Sequence, residues 1–286
     1  MNSCNGKKIG ISFGKRVSIE ELPGALKLAA KYNIDCIELT PELGPVLIGG
    51  SLNLKVLKTI KSILSDFPFG YTVHCPGMQN MRDLNNLEMQ HDIFRSGLDF
   101  TKEIGGMVYV AHFSQKSEDE RVEKVFEEGM AKMADYAGKV GVVIGVENIE
   151  IERVEPVLSL IGRIEHRYLQ MTFDFAHSFL ASKYYGYDFM ESVKQAKPYI
   201  KHVHIHDNVG LYDPDRLVNK QRSLKERLTV GRGDLHLPVG WGLIPYREVF
   251  DVLKGSYDGI YMLENDVGQN EMFIKDTLET LKELIY

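Results

Sequence analysis

The sequence predicts an α/β protein, a closed (β/α)8 barrel in which a single domain takes residues 1–286. Three observations lead there. Eight short apolar, β-branched runs alternate with stretches of helical periodicity. No low-complexity linker interrupts the alternation. Six of the eight runs end on or beside a His, Asp or Glu, and a parallel barrel gathers such side chains at its C-terminal mouth, where barrel sites are built. An open, doubly wound sheet is the competing arrangement. It normally carries a glycine-rich turn after its first strand, and the turn here, FGKRVS, lacks that fingerprint.

In chain order, KIGISFG (8–14) is the first strand and SIEELPGALKLAAKY (18–32) the helix behind it. DCIELT (35–40) and FGYTVHC (69–75) are the second and third strands, and NLEMQHDIFRSGLDFTKEI (86–104) is helical. GMVYVAHF (106–113) is the fourth strand, followed by the helix EDERVEKVFEEGMAKMADYAGKV (118–140). VVIGVEN (142–148), LQMTFDF (169–175), IKHVHIH (200–206) and GIYMLEN (259–265) complete the eight, and MFIKDTLETLKELIY (272–286) is the last helix. In the seventh run His202, His204 and His206 are spaced two apart, so all three side chains point to one face of the strand.

The chain is 44% hydrophobic, enough for a large core, and 26% charged with no long polar tract, as in a globular protein. MNSCNGKKIGISFGKRV has no long apolar stretch, so no signal peptide is expected, and no apolar run approaches the ~20 residues that span a bilayer. Cys4, Cys36 and Cys75 form no CxxC pair and fit reduced thiols in a cytoplasmic protein. A net charge of −6 gives no general attraction to nucleic acid, although a local basic groove stays open.

The strand ends carry His74, His112, Glu147, Asp174, His204 with His206, and Glu264. FDFAH adds His177 three residues after Asp174, and GDLHLP sets Asp234 and His236 two apart. Each alone has an ordinary explanation. A histidine there is often a hydrogen-bonded core or rim residue, and Asp174 fits a cap for the helix SFLASKYY. Together, so many carboxylates and imidazoles are costly to bury unpaired, and a divalent cation, Zn2+ or Mn2+, accounts for them at once. The segment VGLYDPDRLVNKQRSLKERLTVGRG carries Arg216, Lys220, Arg222, Lys225, Arg227 and Arg232. It reads either as a loop over the mouth that meets a phosphate or as a solvated excursion. Gly231, Gly233, Gly240 and Gly242 read as turn formers, and Trp241 packs either on a substrate ring or on the barrel rim. Phe173, Phe175 and Phe179 read as core and lid packing.

With VENIE around Glu147, FDFAHSFLAS around Asp174 and His177, HVHIHDN around His204, DLHLPVGWG around Asp234 and His236, and MLEN at Glu264, the chain resembles the xylose isomerase-like TIM-barrel superfamily. That group includes sugar isomerases and epimerases and the DNA-repair enzyme endonuclease IV. The order of these marks along eight βα units is more specific than any one of them. The resemblance implies a primary divalent ion on Glu147, Asp174, His204 and Glu264. It also implies, in the three-zinc endonuclease branch, further ligands at His74 and His112 and at His177, Asp234 and His236, so one to three ions. His202 is then a core residue; His206, at the rim, reads as a substrate contact or as a group that supports a ligand, and Arg232 and Trp241 are candidates for substrate contact.

Two departures bear on activity. Where endonuclease IV pushes a tyrosine and leucine into DNA, this chain reads HCPGMQNM, and its glycine-rich segment after the glutamate is here ENIEIERVE. The resemblance therefore implies, first, a metal-dependent sugar or sugar-phosphate isomerase or epimerase, with Glu147 and Glu264 moving a proton next to a carbonyl. The alternative is a three-zinc phosphodiesterase acting on abasic DNA or another phosphodiester, and only that reading brings in nucleic acid. A membrane partner is not expected; a homo-oligomer is possible.

Overall fold

Eight parallel strands close into a barrel in chain order. They are β1 Lys8–Ser12, β2 Cys36–Leu39, β3 Gly70–His74, β4 Val108–His112, β5 Val143–Glu147, β6 Leu169–Asp174, β7 Ile200–Ile205 and β8 Ile260–Leu263. β1 pairs with both β2 and β8, which completes the ring. Each lies inside one of the eight runs read from the sequence. The computed structural model describes residues 7–14, 17–213, 224–264 and 271–285.

The outer layer is helical: α1 Leu22–Lys31, α2 Leu54–Leu64, α3 Leu87–Glu103, α4 Glu120–Val140, α5 Glu155–Ile164, α6 Phe175–Tyr185, α7 Phe189–Ala196, α8 Leu224–Val230, α9 Tyr246–Leu253 and α10 Glu271–Ile285. α4 shows why these segments are helices. Phe126, Met130, Met133, Ala134 and Ala137 recur on one buried stripe, Asp119 caps its start through the Arg121 amide, and Gly141 ends it at φ 78°. The main core lies between this layer and the outward faces of the strands, where Val73, Tyr109, Val146, Phe173, Val203 and Ile205 are buried.

Inside the barrel the packing differs. Cys36, Ile260 and Met262 form a small separate apolar plug at the N-terminal end. Gly10 makes room for it, because a Cβ there would come within 2.6 Å of the Met262 methyl. Higher up the lumen is polar, with Glu38, Thr72, Thr172 and His202 all buried. A bulge between β6 and β7 sets the levels: Met171 faces Ile200, but Thr172 faces His202 and Asp174 faces His204, leaving Lys201 as the extra residue.

Two additions go beyond one helix per strand. A hairpin, Leu47–Ile48 with Ser51–Leu52, follows β2 and rests on α3, where Ser96 donates to the Gly50 carbonyl at 2.7 Å. β6 is followed by two helices, and α6 is buried from Phe175 through Ser182. A helix buried on every side has no amphipathic period, so its pattern is hard to read in advance.

Candidate metal centre at the barrel mouth

The strand ends place His74, His112, Glu147, Asp174, His204 and Glu264 together at the C-terminal mouth. His204 is the hub. Its Nδ1 lies 2.7 Å from Glu147 Oε1 and 3.0 Å from Glu264 Oε2, and its Nε2 lies 3.2 Å from Glu38 Oε1. Glu147, Asp174, His204 and Glu264 each offer a donor atom within 4.8 Å of the others. On the far side of Glu147, Oε2 sits 3.4 Å from His74 Nε2 and 3.2 Å from His112 Nε2. The shared carboxylate is therefore a feature of the geometry.

Charge follows from this packing. Burial opposes ionisation of Glu147, but the His204 charge, its hydrogen bond to Oε1, and the nearby His112 and His74 imidazoles hold the carboxyl well below its usual range. Glu264 is drawn down to about 2 in the same way: burial opposes, and His204 and His236 prevail. His204 is lifted well above an ordinary imidazole because Glu38, Glu264 and Glu147 outweigh burial. The carboxylates thus demand positive charge that the imidazoles alone supply. Glu147 Oε2 is buried with no hydrogen bond among the described residues, and a donor set of carboxylates and imidazoles of this kind fits Zn2+ or Mn2+.

A second cluster adjoins the first. His177, His206, Asp234 and His236 each offer a donor atom within 4.8 Å of the others. Expected at the rim as a substrate contact or a group that supports a ligand, His206 is fully buried, with Nε2 3.0 Å from Asp174 Oδ2. It lies in this cluster with its ring stacked 4.0 Å from that of His236. It is carried there because Asp207, the next residue, bridges to Leu237 and draws the DLHL segment over it. Trp241 is a rim residue, donating to Asp276 at 2.7 Å and meeting Phe273 edge-on. Arg232 is exposed. Arg216, Lys220 and Arg222 lie outside the described residues, as does the Lys225 side chain. Arg227 donates to the Asp234 carbonyl at 2.8 Å and so braces the cluster.

Three residues of the site escaped sequence reasoning. Glu38 binds His202, His204 and Thr72 from within β2; its one signal was a carboxylate inside an apolar run. His202, read as a core residue, is buried against it at 3.4 Å. Asn148 ties β5 to β6 through the Asp174 backbone. Cys75 sits with His74 and His112, each with a donor atom within 4.8 Å of the others. Burial raises its thiol, yet His112 and His74 bring it down to about 6, whereas burial and the Glu38 and Asp35 charges push Cys36 up to about 12.

Known proteins share this architecture. A sequence profile described as "Xylose isomerase-like TIM barrel" matches residues 26–284. An uncharacterized protein of Methanocaldococcus jannaschii is 25% identical over 93% of this chain and 88% of its own. A D-tagatose 3-epimerase-like protein superposes with a TM-score of 0.74 at 23% identity over 97% of both chains. A xylose isomerase-like protein from Mycobacterium smegmatis, solved with magnesium, gives 0.72 at 14% over 100% of this chain and 98% of that one. The IOLI protein, solved with a zinc atom, gives 0.71 at 18% over 97% of this chain and 98% of that one. The closed eight-stranded barrel and the profile spanning almost all of it place the chain in the xylose isomerase-like TIM-barrel family.

Proposed function

We propose that the protein is a divalent-metal-dependent epimerase or isomerase of a sugar or sugar phosphate. One observation carries the reading: Glu147 and Glu264 converge on one nitrogen of His204 from β5 and the end of β8, walls of the barrel separated by β6 and β7. Glu147, Asp174, His204 and Glu264 would hold the ion. When bound, such an ion polarises a carbonyl oxygen and steadies negative charge on it. Supporting this, structures of similar fold include D-psicose 3-epimerase, solved in the presence of D-fructose, and L-ribulose 3-epimerase.

The two carboxylates then face opposite sides of a hydroxy-carbonyl unit. One takes the proton from the carbon next to the carbonyl. For isomerisation the same carboxylic acid returns it to the adjacent carbon. For inversion the proton reaches the other face from water on the side of the opposite glutamate. Glu264, whose side chain is 16% exposed against 0% for Glu147, is the one that water reaches. Glu38 holds the far nitrogen of His204 and fixes which nitrogen faces the site.

Incubation with ketoses and ketose phosphates in heavy water tests this. Deuterium should enter at the carbon beside the carbonyl, and E147Q or E264Q should lower activity by at least ~10²–10⁴-fold, as for loss of a general base. A second reading, a three-ion phosphodiesterase, is favoured by the approach of His74 and His112 to Glu147. No exchange across a broad sugar panel, with cleavage of abasic-site DNA by zinc-loaded protein, would establish it instead.

A further inference from the structure

We propose that the rim patch built on Tyr184, Tyr185 and Tyr212 is a subsite for a second sugar ring, so that the substrate is a ketose carrying a glycosidic sugar. This deepens the epimerase reading and rests on it for the ring held at the mouth.

Three segments that leave the mouth converge on the patch. From the loop after β5, the Ile151 carbonyl accepts the Tyr185 hydroxyl at 2.9 Å. The Arg153 guanidinium of the same loop lies 5.3 Å from the centre of the Tyr185 ring and 4.9 Å from that of Tyr187. α6 supplies Tyr184. The segment after β7 supplies Tyr212, whose ring stacks on Tyr184 with centres 3.9 Å apart. Its neighbour Leu211 accepts from the N–H of Gly233, the residue before Asp234, at 2.7 Å. His177 and Tyr184 share one face of α6, two turns apart, about 10 Å along the axis. That is the length of a disaccharide.

Exposure gives the second reason. Tyr184 is 53% exposed, Tyr185 38% and Leu211 51%. Apolar groups gathered in water beside a site mark a contact surface. The surface is also braced. Gly210, at φ 75°, lets the segment pass close over α6, where a Cβ would come within 2.9 Å of the Phe179 ring. The Tyr184 and Tyr185 rings meet edge-on, 4.8 Å between centres. A ligand arriving here has little left to order.

Chemistry selects the ligand. A pyranose presents C–H groups on its faces and hydroxyls around its edge. Tyrosine rings offer an electron-rich face to the first. Tyrosine hydroxyls and the exposed Arg153 guanidinium offer hydrogen bonds to the second.

Calorimetric binding to the full-length protein, with Mn2+ present, tests the proposal. The probes are fructose and three disaccharides that end in a fructose unit, lactulose, maltulose and isomaltulose. At least one disaccharide should bind about tenfold more tightly than fructose. Tyr184→Ala should erase that preference and leave fructose unaffected, whereas Tyr184→Phe, which keeps the ring, should preserve it. If Tyr184→Ala does not fold, Tyr184→Leu keeps the bulk without the aromatic face and should give the same loss. Absence of disaccharide binding, equal affinity for fructose and all three, or a preference that survives loss of the ring would overturn the proposal. So would a sugar-independent dimer in ultracentrifugation that Tyr184→Ala dissociates, which would assign the patch to a second copy of the chain. Binding is read without turnover, so a disaccharide that binds through Tyr184 but exchanges no deuterium would count against the epimerase reading alone.

Discussion

Asn148 and Asp174 exchange two hydrogen bonds of 2.9 Å: the Asn148 amide group donates to the Asp174 carbonyl, and the Asp174 backbone N–H donates to Asn148 Oδ1. The pair locks the end of β5 to the end of β6 and so sets the spacing of Glu147 and Asp174. Replacing Asn148 by Ala leaves a buried N–H and a buried C=O without partners. A loss of about 2–3 kcal/mol is expected in urea denaturation. Metal affinity should fall by ~10–100-fold in a chelator competition, since a group that positions ligands is gone.

Stripping metal should destabilise the protein. The carboxylates around His204 then rely on imidazolium charge alone. Returning Zn2+ or Mn2+ at a hundred times its Kd should restore about 2.7 kcal/mol. Calorimetry before and after chelation measures this, and an unchanged Tm would contradict it.

Arg82 offers a test away from the metal ligands. Its guanidinium lies 3.6 Å from the centre of the Phe126 ring, bonds Glu123 at 2.5 and 2.9 Å, and donates to the carbonyl of Phe113, the residue after His112. Arg82→Met should cost about 2–4 kcal/mol at neutral pH by unpairing Glu123 and freeing that carbonyl. Burial raises the Glu123 carboxyl, but Arg82 and the Ser117 amide bring it below its ordinary value. Its contribution is therefore present above the ordinary carboxylate pKa and lost as pH falls through the lowered one. The gap between wild type and variant should narrow below about pH 4 in parallel urea titrations.

Gly145 faces the lumen, where a Cβ would collide with Thr172 Oγ1 and crowd Val108 at 3.3 Å. Gly145→Ala should lose about 1–3 kcal/mol. The double variant with Thr172→Ala should recover part of it, a coupling that a double-mutant cycle reads directly.

The strands were legible because parallel strands buried on both faces read as short apolar runs. The residues that end them were legible because a His or Asp after such a run is conspicuous. Glu38 was not, since its partners His202 and His204 lie more than 160 residues away along the chain, and nothing local to DCIELT distinguishes an inward carboxylate from an outward one. The burial of His206, expected at the rim, was not legible for a related reason. Its period-two spacing gave the correct face, but the cover over it is formed by Asp207 and Leu237, a closure between distant segments. The hairpin after β2 was missed because strands of two residues have no period to detect.

Asp174 serves several neighbours at once. It offers a donor to the mouth cluster, accepts the His206 proton at 3.0 Å, and caps α6 through the His177 amide at 2.7 Å. Anything that draws on this carboxylate at the mouth changes how strongly it holds His206, and anything that draws on His206 changes how free the carboxylate is. The two clusters are therefore joined through one shared side chain, and a ligand bound at either would alter the affinity of the other by the same factor in both directions.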